Sequence, residues 1–108
     1  MPVRISAASI AEFVGTFVLC FVGIMAIHHA KGNGGLLMVA LAHGLALSVA
    51  VCAAMPTSGG HFNPAVTIGF LMTGKIRVGG AAIYILFQLL GATVASLAAY
   101  VLLGNNEA

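Results

Sequence analysis

Apolar residues run almost without interruption along this chain, and the few polar positions act as punctuation. Three stretches, about 9–30, 36–55 and 80–103, are apolar over lengths that span a bilayer as helices. The turn-forming segment Lys31-Gly-Asn-Gly-Gly35 separates the first two, and Pro56-Thr-Ser-Gly-Gly60 ends the second because proline cannot continue a helix comfortably. From Gly32 to Gly74 no residue carries a charge. One straight helix of that length would reach about 65 Å, against a hydrocarbon core of roughly 30 Å, so the run has to break. The break contains Pro56, Gly59, Gly60, Asn63 and Pro64, and the segment from Ala65 to Gly74 is apolar but too short to cross.

The pattern predicts an all-α membrane protein with three transmembrane helices and one re-entrant loop and half-helix over about 56–74, in a single unit covering 1–108. Pro64 suits the first position of a helix, where its missing N–H costs nothing, and Asn63 takes the N-cap. Ten or so residues rise about 15 Å, so a helix ending near Lys75 at one membrane face starts near mid-depth. The stretch Ser58–Phe62 is expected to be strand-like and to line the other half of a path with carbonyl oxygens. Adjacent Gly59 and Gly60 permit the close approach of a solute. A polar neutral solute would meet acceptors on the way in and amide donors at the centre, while the positive helix end disfavours cations and protons.

Composition agrees: 61% of the 108 residues are hydrophobic, 6% are charged and none is Trp. Soluble domains carry about 25% charged residues, so these residues cannot build a water-facing surface. The net charge of +2 comes from scattered residues and implies no nucleic-acid partner. The first apolar run contains Glu12 and is too long for the core of a signal peptide, so it reads as a span. Arg4, Lys75 and Arg77 fall on one side and Lys31 on the other, which places the N-terminus in the cytoplasm and the C-terminus outside. Small residues at Ala40, Gly44, Ser48 and Cys52, at Gly91 and Ala95, and at Gly15 and Gly23 predict tight helix packing. Cys20 and Cys52 lie in apolar stretches and read as small packing residues. His28 and His29 face apart on a helix and read as interfacial, so no metal and no cofactor is expected. Glu12, four residues into the first span, is expected to accept hydrogen bonds from loop amides in preference to a proton-relay role, with Gln88 as a buried polar partner. His61 is either a polar anchor of the loop or a solute-facing, pH-sensitive group. Ser58 and His61 as a hydrolytic pair are disfavoured, since the surrounding residues give no nucleophile context.

The segments Ala11-Glu-Phe-Val-Gly-Thr-Phe17, Ala42-His-Gly-Leu45, Ser58-Gly-Gly-His-Phe-Asn-Pro-Ala-Val-Thr67 and Tyr84-Ile-Leu-Phe-Gln88 with Gly91-Ala92 resemble, in order and spacing, the aquaporin (major intrinsic protein) family. The likeness covers nearly the whole chain but only the first of that family's two inverted repeats. It implies that Asn63 donates its side-chain amide to a passing solute. Gly59, Gly60 and His61 would present main-chain oxygens, and Pro64 and Ala65 would shape the half-helix tip where it abuts its counterpart. His43 matches the second-helix position of the outer constriction. A histidine there resembles the plant vacuolar subfamily, which suggests water with small neutral solutes such as ammonia, urea or glycerol. The expected setting is membrane lipid of the plasma (inner) membrane, with tetramers of complete channels. No second Asn-Pro-Ala occurs among these residues. Three readings are open: part of a longer channel, a partner to another polypeptide carrying the second repeat, or an antiparallel pair of identical chains. A non-conducting membrane assembly component is the alternative from a different functional class.

Overall fold

The computed structural model describes residues 6–30 and 34–104. Within them lie four helices: α1 (Ala7–His29), α2 (Gly35–Ala54), α3 (Pro64–Met72) and α4 (Val78–Leu103). Helices α1, α2 and α4 are long and apolar enough to cross a membrane, and α3, with 9 residues, is not. Arg4, Lys31 and residues 105–108, on which part of the topology argument rests, lie outside the described residues.

Local chemistry sets the boundaries. Ser6 is the N-cap of α1, so the helix starts two residues before the apolar run at position 9. Gly34, at φ 84°, turns the chain into α2. Arg77 is the N-cap of α4, so the helix starts two residues before the expected position 80. Helix α3 ends at Met72, short of the expected 74. Lys75 N donates to Phe70 O at 2.9 Å and Gly74 N to Leu71 O at 3.1 Å, with Gly74 at φ 77°. This is the Schellman closure, which needs a left-handed residue and favours glycine.

Helix α1 is the hub: it packs against α4 and α2, and α3 packs against α4. The α4 face buried there is Ala81, Gln88, Gly91, Ala95 and Ala99, small at every position but one. A Cβ on Gly91 would lie 2.5 Å from the carbonyl oxygen of Phe13, so the two backbones are in contact. A Cβ on Gly23 would lie 2.4 Å from the imidazole of His43, and one on Gly15 would fall inside the ring of Phe62. The expected close approaches at Gly15, Gly23, Gly91 and Ala95 thus lie on seams between elements of this chain. The α2 stripe does not: Ala40, Gly44, Ser48 and Cys52 are all exposed, and no α2 residue is buried. Its partner, if it has one, is not among the described residues.

Burial is inverted relative to a soluble domain. The buried residues include Ser9, Glu12, Thr16, Ser58, His61, Thr67 and Gln88, whereas Leu36, Leu45, Val49, Met72, Leu97 and Val101 are exposed. In water such a molecule would bury its polar groups and expose its apolar ones at a loss. In lipid the apolar outside is the solvated surface, and the polar inside is what makes the fold specific.

Candidate functional site

The break between α2 and α3 folds inward onto a single carboxylate. Glu12, fully buried on α1, accepts four hydrogen bonds. Its Oε2 takes Ser58 Oγ at 2.8 Å and the His61 amide at 3.0 Å, and its Oε1 takes the Phe62 amide and Gln88 Nε2, both at 2.7 Å. Four described groups thus converge on one carboxyl group. An acidic side chain buried in a span is costly unless its oxygens are partnered, and here both are.

The network extends from there. Gln88 Nε2 also donates to Thr67 Oγ1 at 2.9 Å, and His61 Nδ1 lies 2.9 Å from the same oxygen. Reversing the Gln88 amide would face its oxygen toward the carboxylate, so the nitrogen belongs on that side. Both amide hydrogens are then spent and Thr67 receives one. Among the described residues its hydroxyl has His61 Nδ1 as acceptor, which assigns to His61 the tautomer with its hydrogen on Nε2. The His61 ring stacks on Phe70, with centroids 4.5 Å apart, and meets the edge of Tyr84 at 5.0 Å. Tyr84 donates its hydroxyl to Ser58 O at 2.7 Å. Ser58 spends its proton on Glu12 and receives the Gly60 amide at 3.1 Å, so it is not activated by His61 as a hydrolytic nucleophile would be.

The loop is not a strand. Gly59, Gly60 and Phe62 have φ of 91°, 66° and 55°. A left-handed non-glycine residue costs about 1 kcal/mol or more. Phe62 meets that cost with its short amide bond to Glu12 and with a ring buried to 2% exposure in the notch at Gly15. The left-handed turns gather the loop's N–H groups inward. Among the described residues, no hydrogen bond ends on the carbonyls of Gly59, Gly60 or His61. At the tip, Asn63 caps α3, its Oδ1 accepting from Ala65 N at 2.9 Å, with Pro64 in the first turn. The Asn63 side chain is exposed, and its Nδ2 makes no bond to a described residue.

The structure therefore brings Glu12, Gln88, Gly59, Gly60, His61, Asn63, Pro64 and Ala65 to one loop and its anchor. His43 lies apart, on α2, with Nδ1 2.8 Å from Val39 O and its ring against Gly23 of α1. Sequence reasoning missed Thr67, Tyr84 and the anchoring role of Ser58. Tyr84 and Gln88 stand one turn apart on α4, and Thr67 is one turn beyond the N-cap of α3. That spacing of polar groups on otherwise apolar helices was the available signal.

Comparison with known proteins gives a consistent result. The sequence model of the major intrinsic protein family matches residues 2–108. The chain is 45% identical over 98 residues to aquaporin TIP4-4 of Zea mays, covering 83% of this chain and 39% of that protein. It is 47% identical over 89 residues to glycerol uptake facilitator protein-like 6 of Lactiplantibacillus plantarum, covering 82% and 40%. The crystal structure of the aquaglyceroporin from Plasmodium falciparum superposes with a TM-score of 0.80 at 35% identity, over 90% of this chain and 41% of that one. The chain thus spans about two fifths of the length of the relatives it matches.

Proposed function

This chain belongs to the major intrinsic protein family, and on that premise we propose that it is one half of a passive channel for water and small neutral solutes, completed by a second, inverted repeat. The family is one of membrane channels and not of enzymes. In the proposed path the solute passes the carbonyls of Gly59, Gly60 and His61, reaches Asn63 Nδ2 at the tip formed by Pro64 and Ala65, and is sorted again at the level of His43. Lys75 and Arg77 mark the cytoplasmic face. Water is the expected solute, with ammonia, urea and glycerol as candidates, and the complete channels assemble as tetramers.

One observation carries this reading. The amides of His61 and Phe62 are held by Glu12 and that of Gly60 by Ser58, while the carbonyls of Gly59, Gly60 and His61 and the Asn63 side-chain amide have no partner among the described residues. Backbone groups at membrane depth are otherwise paired, and unpaired ones are stable where they line a wet path. The exposed small-residue face of α2 and the open tip of α3 are where a second repeat would seat, since helices in lipid associate through close backbone approach.

The test is a chimera in which this chain replaces the matching segment of the Zea mays relative, 39% of its length. In proteoliposomes the chimera is expected to shrink in hyperosmotic medium within a few-fold of the parent rate. Asn63→Asp is expected to remove most of that flux, because the aspartate has no N–H to offer and brings a charge to the helix tip. A folded chimera no faster than empty vesicles would favour the non-conducting assembly role.

A further inference from the structure

Beside the loop lies a cavity of about 360 Å³. It is lined by Met55, Ser58, Gly59, His61, Phe70, Lys75, Ile76 and Tyr84. Of these, Lys75, His61, Gly59 and Phe70 decide its chemistry.

Its polar groups are unequal. Ser58 and Tyr84 have spent their hydrogens on Glu12 and on Ser58 O. His61 is fixed by Thr67 through Nδ1 and by stacking on Phe70, so Nε2 is the ring atom left with a hydrogen to give. A Cβ at Gly59, another wall residue, would lie 3.6 Å from that Nε2, which places this edge of the ring at the cavity. The basic residue of the lining is Lys75, its backbone tied to Phe70 O by the helix closure. Among the described residues no acidic side chain lines the cavity. The carboxylate behind the wall, Glu12, has its oxygens occupied by four donors.

A cavity walled by a lysine and by an imidazole N–H, with the Ser58 and Tyr84 hydroxyls already engaged, suits an oxyanion. We propose that it is a phosphate-binding site, in which Lys75 and His61 Nε2–H hold a phosphate group of a lipid headgroup or free phosphate. Depth bears on the source. Helix α3 has 9 residues and rises about 14 Å, so Lys75 stands about half a hydrocarbon thickness from the tip, at the level of the lipid headgroups. Anionic lipid is drawn to such basic positions. The apolar walls at Met55, Ile76 and Phe70 suit the chain end of a lipid. The site shares Gly59 and His61 with the proposed path, but it uses the His61 ring and Lys75 where the path uses main-chain carbonyls.

The experiment is ¹⁵N NMR of the His61 imidazole in nanodiscs of phosphatidylcholine, titrated with inorganic phosphate, and separately in discs containing phosphatidic acid. A saturable shift of Nε2 is expected. Its appearance with inorganic phosphate assigns the site to free phosphate, and its appearance only with phosphatidic acid assigns it to lipid. Lys75→Gln, at an exposed position, is expected to weaken binding about tenfold or more, and Lys75→Arg to retain it. No shift in either arm, or a shift equal in K75Q and the native chain, would overturn the proposal. Neither outcome depends on osmotic flux, so failure here and failure of the channel reading are separately visible.

Discussion

Glu12→Ala is expected to release the loop from α1 and to cost most of the stability of the fold. The substitution leaves Ser58 Oγ, the amides of His61 and Phe62, and Gln88 Nε2 without their acceptor in a buried, water-poor site. Each stranded buried donor costs about 1–3 kcal/mol, and a whole domain has only about 5–15 kcal/mol to lose. Glu12→Gln separates charge from shape. One amide oxygen still accepts, but the new NH₂ must face one pair of donors. The milder choice is the Ser58–His61 pair, because the Ser58 hydroxyl can rotate and accept. The His61 amide then faces a second donor, so the expected loss is about 1–3 kcal/mol and falls between the native chain and the alanine variant. Thermal unfolding in detergent and hydrogen exchange at His61 and Phe62 are the readouts. Native-like slow exchange at both amides in E12A would show that the carboxylate is not what holds the loop.

The second large effect is expected at Gly91. A methyl group there would sit 2.5 Å from Phe13 O and 3.2 Å from Phe17 N, and both are backbone atoms that cannot rotate aside. Helices α1 and α4 must separate, and that separation pulls Gln88 away from Glu12 one turn below. Overpacking of this kind costs about 1–3 kcal/mol before the polar loss is added. Gly91→Ala is therefore expected to be the most destabilising glycine-to-alanine change in the transmembrane helices. Leu97→Ala, at a position 60% exposed on the same helix, is expected to be within about 0.5 kcal/mol of native. Equal thermal midpoints for G91A and the native chain would mean that the seam is looser than the geometry describes.

The architecture was legible because lipid imposes a simple length rule and an uncharged run of that extent has to break. The proline and the asparagine located the start of the half-helix for the same reason: an N-cap before a residue without an N–H reads the same way in any solvent. Glu12 was conspicuous because a carboxylate in a span has to be explained. Less visible was anything that depends on how the loop closes. The left-handed Phe62 carries no mark in the sequence, since its cost is met by a notch at Gly15 that lies 47 positions earlier. Thr67 and Tyr84 looked like ordinary helix residues until the carboxylate gave their neighbours a direction. The α2 stripe signalled packing, but no residue pattern states whether the packing partner lies in the same segment.

These features depend on one geometric fact, the depth of the α3 tip, and the absence of native tryptophan makes it measurable. Val66 and Met72 are both exposed, near opposite ends of α3. Single variants Val66→Trp and Met72→Trp, in bilayers of lipids brominated at successive acyl positions, report depth by fluorescence quenching. V66W is expected to be quenched most by bromines near the chain ends and M72W by those near the headgroup, a separation of about 9 Å. Equal depth profiles for the two, or a V66W maximum at the headgroups, would contradict a half-helix that ends at the centre of the membrane.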